Sequence, residues 1–418
     1  MSASLRSKSE LLQSFHFYLS LCYITVTMFE SQQPLLLDLR KFVAPEYIFG
    51  TDARLLAAKY CKKLGATKVF VATDKGIRKA GWMDELEEQL RFEGVDYVIF
   101  DAISPNPRDF EVMNGTALYH ENNCNLILAL GGGSVMDCAK GIGIVVANNK
   151  PIDQFEGIDR IGKPMPPLIC IPTTAGTSAD VSQFAIINNI SQKYKMAIIS
   201  KALVPDLALI DPKILLTMDN YLTACTGMDA LCHAFEAYVS NASSPFTDLF
   251  ALEAIRLINQ ELVESIKFPN DIQARGKTML GSLYAGLAFS NASLGCVHSM
   301  AHSLGGYLDL PHGECNAILL PHVVDYNFSS TPQKYKTIAE TLGLEVKGKR
   351  DEEVKKSLID YLIRLKSDIS INNTLKDKGV TTDVTEVLAA KAINDPCNAT
   401  NPRMPVLGDL VTIYNEAL

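Results

Sequence analysis

The residues best suited to metal chemistry are an aspartate and several histidines spaced four residues apart. Asp229 and His233 lie in TGMDALCHAFEAY, whereas His298 and His302 lie in CVHSMAHSLGGYLDLPHGECN, which also contains His312. On a helix, residues four apart share one face. That face is otherwise apolar, so a buried carboxylate and imidazole need a polar partner. A divalent cation would supply one; for the first pair alone, a hydrogen-bonded Asp–His pair in the core is the alternative.

The crowding of histidines favours the metal. Three of the seven histidines of the chain fall within residues 296–316. Imidazole suits iron or zinc, and a carboxylate adds a harder ligand. Three histidines and one aspartate can hold a tetrahedral or open five-coordinate ion with room for a substrate oxygen. The sequence offers one group more than such a site needs, so one histidine is expected to serve another purpose.

A glycine-rich turn and two polar segments are candidates for binding a dinucleotide. LILALGGGSVMDCAK places GGGS (131–134) between an apolar strand and a helix, with Ser134 as the expected helix cap. The backbone N–H groups of such a turn can approach a pyrophosphate, although a tight strand-to-helix turn is the alternative. Asp74 could select NAD by binding the adenosine ribose, or cap a helix. PTTAGTSADVS (172–182) could line a nucleotide or turn the chain.

Two halves of different architecture are predicted to position these residues. Up to Asp211, short apolar runs such as KVFVAT, LILAL, LICIPTT, FAIINN, MAIIS and LALID alternate with amphipathic stretches, which indicates βαβ units on a parallel sheet. Later runs are longer and follow a period near 3.6. We therefore predict a Rossmann-like α/β dinucleotide-binding domain at residues 28–211 and an all-helical metal-binding and substrate domain at 212–418. A ligand cleft is expected between them.

Composition narrows the class of partner. The net charge of -8 leaves no excess of Lys and Arg to neutralise phosphates, which argues against nucleic acid and favours small molecules. The ten cysteines include no C-x-x-C pair, as expected for reduced thiols in the cytoplasm. The apolar segment FHFYLSLCYITVT is too short to span a bilayer, so no membrane partner is expected. Residues 1–27 are predicted to be an extension outside the fold, with Met28 as an alternative start.

The order and spacing of the motifs resemble the iron-containing (group III) alcohol dehydrogenase family from about residue 40 to the C-terminus. The motifs that carry the resemblance are ALGGGSVMDCAK, IPTTAGTSADVS, TGMDALCHAFEAYVS, SNASLGCVHSMAHSLGGYLDLPHGECNAILLPH and DPCNATNPR. The resemblance implies an α/β dinucleotide-binding domain followed by an all-helical domain that holds a divalent metal, a dehydroquinate-synthase-like architecture. It implies NAD and Fe²⁺, with Zn²⁺ as the alternative ion, and a homo-oligomer of two or more chains.

The resemblance also assigns residues. It places Asp229, His233, His298 and His312 on the metal, and His302 near the substrate and nicotinamide. The positions it implies for cofactor contacts are Asp74 at the ribose, Gly132, Gly133, Ser134 and Asp137 at the pyrophosphate, and Asn106, Thr173, Thr174, Thr177, Lys195 and Leu222 elsewhere along the cofactor. Asp180 stands where the family often has Glu.

The expected reaction is reversible hydride transfer between a primary alcohol, or its aldehyde, and NAD. Phe184, Phe289 and Cys397 are expected in the substrate pocket, which favours a simple and fairly apolar substrate. The metal would act as a Lewis acid, and His302 would pass a proton toward solvent or only shape the pocket. Two alternatives are an NAD- and metal-dependent lyase of the dehydroquinate-synthase-like superfamily and a non-catalytic nucleotide-binding module.

Overall fold

Residues 41–418 are described by a computed structural model. Within this range, Phe42–Leu418 form one compact unit. The predicted extension at residues 1–27 and the alternative start at Met28 lie outside the described residues.

A six-stranded sheet forms the centre of the first half. Its strands are β1 (Glu46–Phe49), β2 (Val69–Ala72), β3 (Tyr97–Phe100), β4 (Leu126–Gly131), β6 (Leu168–Pro172) and β9 (Leu207–Ile210). They lie in the order β1-β9-β6-β4-β2-β3, and every neighbouring pair is parallel. Val69 and Val71 pack into one apolar layer while Phe70 and Ala72 pack into the other. The predicted Rossmann-like sheet, apolar on both faces, is confirmed.

Five helices accompany this sheet: α1 (Ala57–Lys63), α2 (Lys75–Lys79), α3 (Trp82–Phe92), α4 (Asp109–Glu121) and α5 (Gly133–Asn148). The helix expected in GWMDELEEQLRFEG is α3, whose apolar side faces the sheet through Met83, Leu86 and Leu90. Helix α5 is buried along most of its length. It runs from the glycine-rich turn beneath the sheet, which places that turn at the carboxyl edge of β4.

A second, small sheet departs from the parallel pattern expected for FAIINN and MAIIS. It contains β5 (Gly157–Ile158), β7 (Phe184–Asn189) and β8 (Tyr194–Ile199), in the order β5-β8-β7. Strands β7 and β8 pair antiparallel, and β5 and β8 pair parallel. Only residues 190–193 separate β7 from β8, which is too short for a parallel crossover of a dozen residues or more. The two runs therefore form a hairpin.

The second half is helical, as predicted. Its helices are α6 (Asn220–Val239), α7 (Pro245–Lys267), α8 (Ile272–Ala292), α9 (Cys296–Leu308), α10 (His312–Phe328), α11 (Pro332–Thr341), α12 (Asp351–Asp368), α13 (Thr382–Ala392) and α14 (Leu407–Glu416). Asp219, Ser244 and Asp271 cap α6, α7 and α8 by accepting hydrogen bonds from backbone N–H groups of the first turn. No single helix among residues 41–418 is long and apolar enough to span a membrane. Helices α8 and α9 meet these two criteria only when taken together, and they are bent by 99° relative to each other.

Glycines allow α9 and α10 to approach the backbone of neighbouring elements closely. A Cβ on Gly306 would lie 2.7 Å from the Cα of Tyr194 and 2.8 Å from the backbone nitrogen of Lys195 in β8. A Cβ on Gly313 would likewise collide with the carbonyl of Cys225 in α6. Real Cβ atoms do not come so close to backbone, so these glycines permit α9 to lie on β8 and α10 to begin against α6.

We expect Gly306→Ala to destabilise the protein by roughly 1–3 kcal/mol, because the added methyl group must displace the backbone of β8. The free energy of unfolding from chemical denaturation measures the effect. Gly408→Ala, in α14, is the matched control: nothing lies within 4 Å of its Cβ position, so a change under about 0.5 kcal/mol is expected. Equal stability of the two variants would contradict the close approach of α9 to β8.

Candidate active site

A cleft of about 990 Å³ is lined by residues of both halves. On the α/β side it lies where β2, β3, β4 and β6 end, at the carboxyl edge where open α/β sheets bind ligands. All residues predicted to contact the cofactor line this one cavity: Asp74, Asn106, Gly132, Gly133, Ser134, Asp137, Thr173, Thr174, Thr177, Lys195 and Leu222. That they contact NAD stays a prediction, but their shared location is a feature of the fold.

The glycine-rich turn is packed against the threonines of PTTAGTSADVS. Gly132 is the N-cap of α5, which begins at Gly133. A Cβ on Gly132 would lie 3.1 Å from Thr174 Cγ2, and one on Gly133 would lie 2.5 Å from Thr177 Cγ2. Ser134 does not cap the helix as expected; its hydroxyl accepts a hydrogen bond from the backbone N–H of Asn106 at 3.2 Å. The N-terminus of α5 therefore faces the cleft with bare backbone, which suits an anionic ligand.

The position of Asp74 fits both predictions made for it, helix capping and binding of the adenosine ribose. It is the N-cap of α2, and its Oδ1 accepts a hydrogen bond from the backbone N–H of Ile77 at 3.0 Å. It also lines the cleft at the end of β2. The capping bond fixes the orientation of the carboxylate, and one helix-capping oxygen leaves the other free for a ligand hydroxyl.

A series of polar side-chain contacts crosses the cleft between the two halves of the molecule. Lys195 Nζ donates to Asn106 Oδ1 at 2.8 Å, and Asn106 Nδ2 donates to Asp309 Oδ1 at 2.8 Å. Arg108 forms an ion pair with the other Asp309 oxygen at 3.2 Å. Burial lowers the pKa of Lys195 and raises that of Asp137 to about 6. Asp309 directly follows α9. These polar contacts therefore connect the α/β side of the cleft to the helix that carries His298 and His302.

Three predicted metal ligands from α6, α9 and α10 converge on an oxygen atom of the fourth, Asp229. The Nε2 atoms of His233, His298 and His312 lie 3.7, 3.6 and 3.7 Å from Asp229 Oδ1. The ligand atoms of Asp229, His298 and His312 all lie within 4.8 Å of one another. The His233 ring joins them by stacking on His298, with 4.5 Å between centroids.

The donor set fits a divalent ion. A tetrahedral ion with bonds of about 2.1 Å separates its ligand atoms by roughly 3.4 Å, close to the spacing around Asp229 Oδ1. Two buried polar atoms at the cluster, His312 Nδ1 and Asn316 Oδ1, have no hydrogen-bond partner within residues 41–418. Buried polar atoms are rarely left unpaired, and exceptions often mark a functional site or an unseen ion or water.

The charges of the cluster also suit a cation. Burial would raise the pKa of Asp229, but the neighbouring imidazoles lower it below its usual range. Burial lowers the pKa of His233 to about 3 and that of His312 well below its ordinary value. Burial lowers the pKa of His298 as well, yet the Glu236 and Asp229 carboxylates raise it to about 9. His233 and His312 therefore offer lone pairs at neutral pH, and a metal would compete with a proton for Nε2 of His298.

Three groups that hold the predicted ligands were missed by the sequence analysis. Glu236 Oε2 lies 2.6 Å from His298 Nδ1, while Glu236 Oε1 accepts from the backbone N–H of Val297 at 2.6 Å. The Gly176 carbonyl lies 3.2 Å from His233 Nδ1. Asn316 Nδ2 donates to Asp229 Oδ1 at 2.6 Å. Such partners orient a ligand and fix which imidazole nitrogen faces the metal.

The C-terminal motif DPCNATNPR (395–403) supports α9 from the other side. Asn401 Oδ1 accepts from the backbone N–H of Cys296 at 3.1 Å, and Asn398 Oδ1 accepts from the Ser299 hydroxyl at 2.8 Å. Both contacts lie in the first turn of α9. The motif therefore fixes the helix end from which His298 projects.

His302 stacks on His312, with 5.3 Å between ring centroids, but has its own carboxylate. Its Nδ1 lies 2.8 Å from Asp395 Oδ2, and the side chain lines the cleft. Cys397 does not line the cleft, contrary to the prediction that it forms part of the substrate pocket. It is fully buried, and its backbone N–H donates to Asp395 Oδ1 at 2.9 Å. Cys397 thus supports the partner of His302 instead of facing a ligand.

Phe184 and Phe289 form an aromatic wall beside the cluster. Both line the cleft, and their rings meet edge to face at 5.6 Å between centroids. Phe289 also stacks on His233 at 4.2 Å. The buried Lys140 donates to the carbonyl of Phe184 at 2.8 Å, which fixes the start of β7. The space next to the histidines is therefore narrow and apolar on this side.

Comparison with known proteins decides the family. Residues 44–212 match the family described as iron-containing alcohol dehydrogenase, and residues 223–418 match the C-terminal region of the Fe-containing alcohol dehydrogenase family. The chain belongs to the iron-containing alcohol dehydrogenase family. The chain is 39% identical over 371 residues to 1,3-propanediol dehydrogenase of Klebsiella pneumoniae, covering 88% of this chain and 96% of the relative.

Other members support the same assignment. NAD-dependent methanol dehydrogenase of Bacillus methanolicus is 35% identical over 377 residues, covering 90% of this chain and 99% of the relative. A solved structure of 1,3-propanediol oxidoreductase superposes with a TM-score of 0.88 at 38% identity, covering 91% of this chain and 100% of the other. The predicted family, fold and enzyme class are confirmed.

Membership in the iron-containing alcohol dehydrogenase family defines the reaction type. The protein is an oxidoreductase that interconverts alcohols and aldehydes with NAD and an iron-type divalent metal. This favours the oxidoreductase over the dehydroquinate-synthase-like lyase and the non-catalytic nucleotide-binding module considered from the sequence.

Glu236→Gln is expected to weaken metal binding about 10–100-fold, because an amide is a weaker acceptor than a carboxylate for the His298 Nδ1 proton. Competition with a chromogenic chelator measures the metal affinity. Glu111→Gln is the matched control: Glu111 is equally buried, at 4% exposure, but it accepts from Ser104 and Arg108 in the α/β half. Unchanged metal affinity of Glu236→Gln would contradict the role of Glu236.

Proposed function

We propose that Asp229, His233, His298 and His312 are the metal ligands of this alcohol dehydrogenase and that NAD lies along the residues that line the α/β side of the cleft. The observation that carries the proposal is the convergence of three imidazole Nε2 atoms on Asp229 Oδ1 at 3.6–3.7 Å. That convergence lies in the same cavity as the bare N-terminus of α5. When bound, the metal supplies Lewis acidity toward an alcohol oxygen, and the nicotinamide accepts or donates the hydride.

The residues of the chain orient these groups and exclude water. Gly132 and Gly133 present backbone N–H groups to the pyrophosphate, and Asp74 binds the adenosine ribose. Thr173, Thr174, Thr177, Asn106, Lys195 and Leu222 line the path between the ribose and the metal ligands. Phe184 and Phe289 cover the site on one side. The reacting atoms are thereby held in an apolar space in which electrostatic interactions are strong.

His302 is proposed to carry the proton released from the alcohol. Asp395 lies 2.8 Å from Nδ1 and orients the ring, so that Nε2 is the nitrogen available to the cleft. An imidazole near a reacting hydroxyl can accept a proton and pass it to solvent. The same ring also shapes the pocket.

The proposed substrate is a small, fairly apolar primary alcohol or its aldehyde. The edge-to-face pair of Phe184 and Phe289 leaves no polar side chain on that wall to bind a second hydroxyl. Relatives of this chain are named for 1,3-propanediol, methanol and lactaldehyde, all small molecules. The walls favour a substrate at the apolar end of that range.

We further propose a cytoplasmic homo-oligomer of two or more chains that binds neither nucleic acid nor membranes, with the α/β domain at residues 28–211 and the helical domain at 212–418. The net charge of -8 supports the absence of a nucleic-acid partner. The nine cysteines at residues 41–418 are buried free thiols, which supports a reducing compartment.

We expect His298→Ala to fold but to lack both stoichiometric metal and turnover. The substitution removes one of the three imidazoles around Asp229, and with it one of the four proposed metal ligands. Metal analysis of anaerobically purified protein and NADH oxidation with a set of aldehydes measure the two losses. His322→Ala, which removes a histidine of α10 outside the cluster, is expected to keep both. Full activity with bound metal in His298→Ala would contradict the ligand assignment.

Asp74→Asn tests cofactor selection separately from helix capping. Asparagine caps helices about as well as aspartate, so the bond to Ile77 and the stability should persist. Loss of the negative charge should raise kcat/KM with NADP relative to NAD by about tenfold, which corresponds to removing about 1.4 kcal/mol of repulsion. An unchanged ratio of the two values would remove Asp74 from this role.

A further inference from the structure

Three consecutive residues, Gly176, Thr177 and Ser178, contact three different parts of the molecule. We call this segment the junction. It follows β6 and lies within PTTAGTSADVS. Gly176 contacts the helix that carries Asp229 and His233, Thr177 contacts the glycine-rich turn, and Ser178 contacts α8. One short segment therefore connects the proposed pyrophosphate site to the proposed metal site.

The contact of Gly176 with α6 depends on the absence of a side chain. A Cβ at this position would lie 2.5 Å from the carbonyl oxygen of Thr226 and 2.8 Å from its Cα. Without it, the Gly176 carbonyl reaches His233 and accepts a hydrogen bond from Nδ1 at 3.2 Å. Because a carbonyl can only accept, the proton is placed on Nδ1, and the lone pair of Nε2 points toward Asp229 Oδ1 at 3.7 Å.

Thr177 is packed against the turn that begins α5. The Cβ position of Gly133 is 2.5 Å from Thr177 Cγ2 and 2.7 Å from its hydroxyl oxygen. This contact therefore opposes any displacement of the turn toward Thr177. Its neighbour in the chain is Gly176, so the displacement reaches the carbonyl that holds His233.

Ser178 attaches the other end of the junction to α8. Its hydroxyl donates to the carbonyl of Ser282 at 2.7 Å and lies 3.1 Å from the Ser282 hydroxyl. Its backbone is left-handed, with φ of 50°, and Gly286 of α8 leaves space for its Cβ. A non-glycine residue in this conformation is held there by its surroundings. The junction is therefore held in place by contacts at each of its three residues.

We propose that Gly176 is a positioning residue for the metal ligand His233 and that, through the junction, occupation of the glycine-rich turn and metal binding strengthen each other. The inference rests on the proposed function for the location of both ligands. Coupling between two sites is reciprocal: each ligand changes the affinity of the other by the same factor.

ADP-ribose separates this coupling from direct contact between the cofactor and the metal. It carries the pyrophosphate that the turn would bind but lacks the nicotinamide. An effect of ADP-ribose on metal affinity therefore does not arise from contact between the nicotinamide and the metal, and its loss in variants of the junction would show that it passes through the protein. Co²⁺ is a suitable metal probe because its visible absorption reports its ligands as well as its occupancy.

The experiment titrates the metal-free full chain with Co²⁺, with and without saturating ADP-ribose, and titrates ADP-ribose onto the Co²⁺-loaded and metal-free protein. We expect Co²⁺ to bind at least about fivefold more tightly with ADP-ribose present, with the same factor in the reciprocal titration. Gly176→Ala should lower Co²⁺ affinity about 10–100-fold and bring the coupling factor close to one, while ADP-ribose still binds.

Two further variants keep the test decisive if Gly176→Ala folds poorly. Thr177→Ser removes the methyl group that faces Gly133, so it should keep the Co²⁺ affinity measured alone and reduce the coupling factor. Gly281→Ala is the matched control: its Cβ would meet Ile258 at 2.8 Å in the α7–α8 packing. It should lower stability but retain the coupling.

The outcomes distinguish this inference from the proposed function. If Co²⁺ and ADP-ribose both bind but neither alters the affinity of the other, the coupling through the junction is wrong while the site assignments stand. A coupling factor in Gly176→Ala and Thr177→Ser equal to that of the unmodified chain would also overturn it. If ADP-ribose or Co²⁺ fails to bind the unmodified chain, the proposed site itself is wrong.

Discussion

The buried carboxylate of Asp229 is the constraint on which the arrangement of the helical half depends. It is 3% exposed on a helix whose neighbours are apolar, so it is stable only with compensating charge or hydrogen bonds. The Asn316 amide donates one hydrogen bond to this carboxylate, and three imidazoles from α6, α9 and α10 surround the place where a bound cation would supply the compensating charge. The crossing of these helices is therefore determined by a polar requirement as much as by apolar packing, and the glycines that permit close approach serve the same geometry.

Each imidazole near Asp229 has a different environment, and the differences separate their tasks. His298 is held by a carboxylate, His233 by a backbone carbonyl of the opposite half, and His312 has no protein partner for Nδ1 within residues 41–418. The Nδ1 of His302 faces Asp395 and not Glu236. The predicted metal ligands are thus oriented from both halves of the molecule, whereas among residues 41–418 the ring of His302 is oriented by the C-terminal motif.

Features that depend on residue spacing within one helix or strand were predicted correctly from the sequence. The pairs four residues apart, the glycine turn after β4 and the change of period after Asp211 all depend on local periodicity. The same rule could have found Asn316, four residues after His312, and Glu236, three after His233. It could not find Gly176, whose contribution is a backbone carbonyl, or the pairing of His302 with Asp395 across more than ninety residues. The β7–β8 hairpin was missed although the four-residue gap indicated it. Cys397 was misplaced because a motif does not show which of its side chains turn inward.

The carboxylates of Asp229 and Glu236 determine which ionic charge the cluster would balance. Both are at most 4% exposed, and within residues 41–418 neither forms an ion pair with lysine or arginine. Two negative charges and a divalent ion give a neutral cluster once His298 has lost its proton. A trivalent ion in the same place would leave one positive charge uncompensated in a medium of low dielectric constant. The two carboxylates therefore match the charge of a divalent ion better than that of a trivalent one.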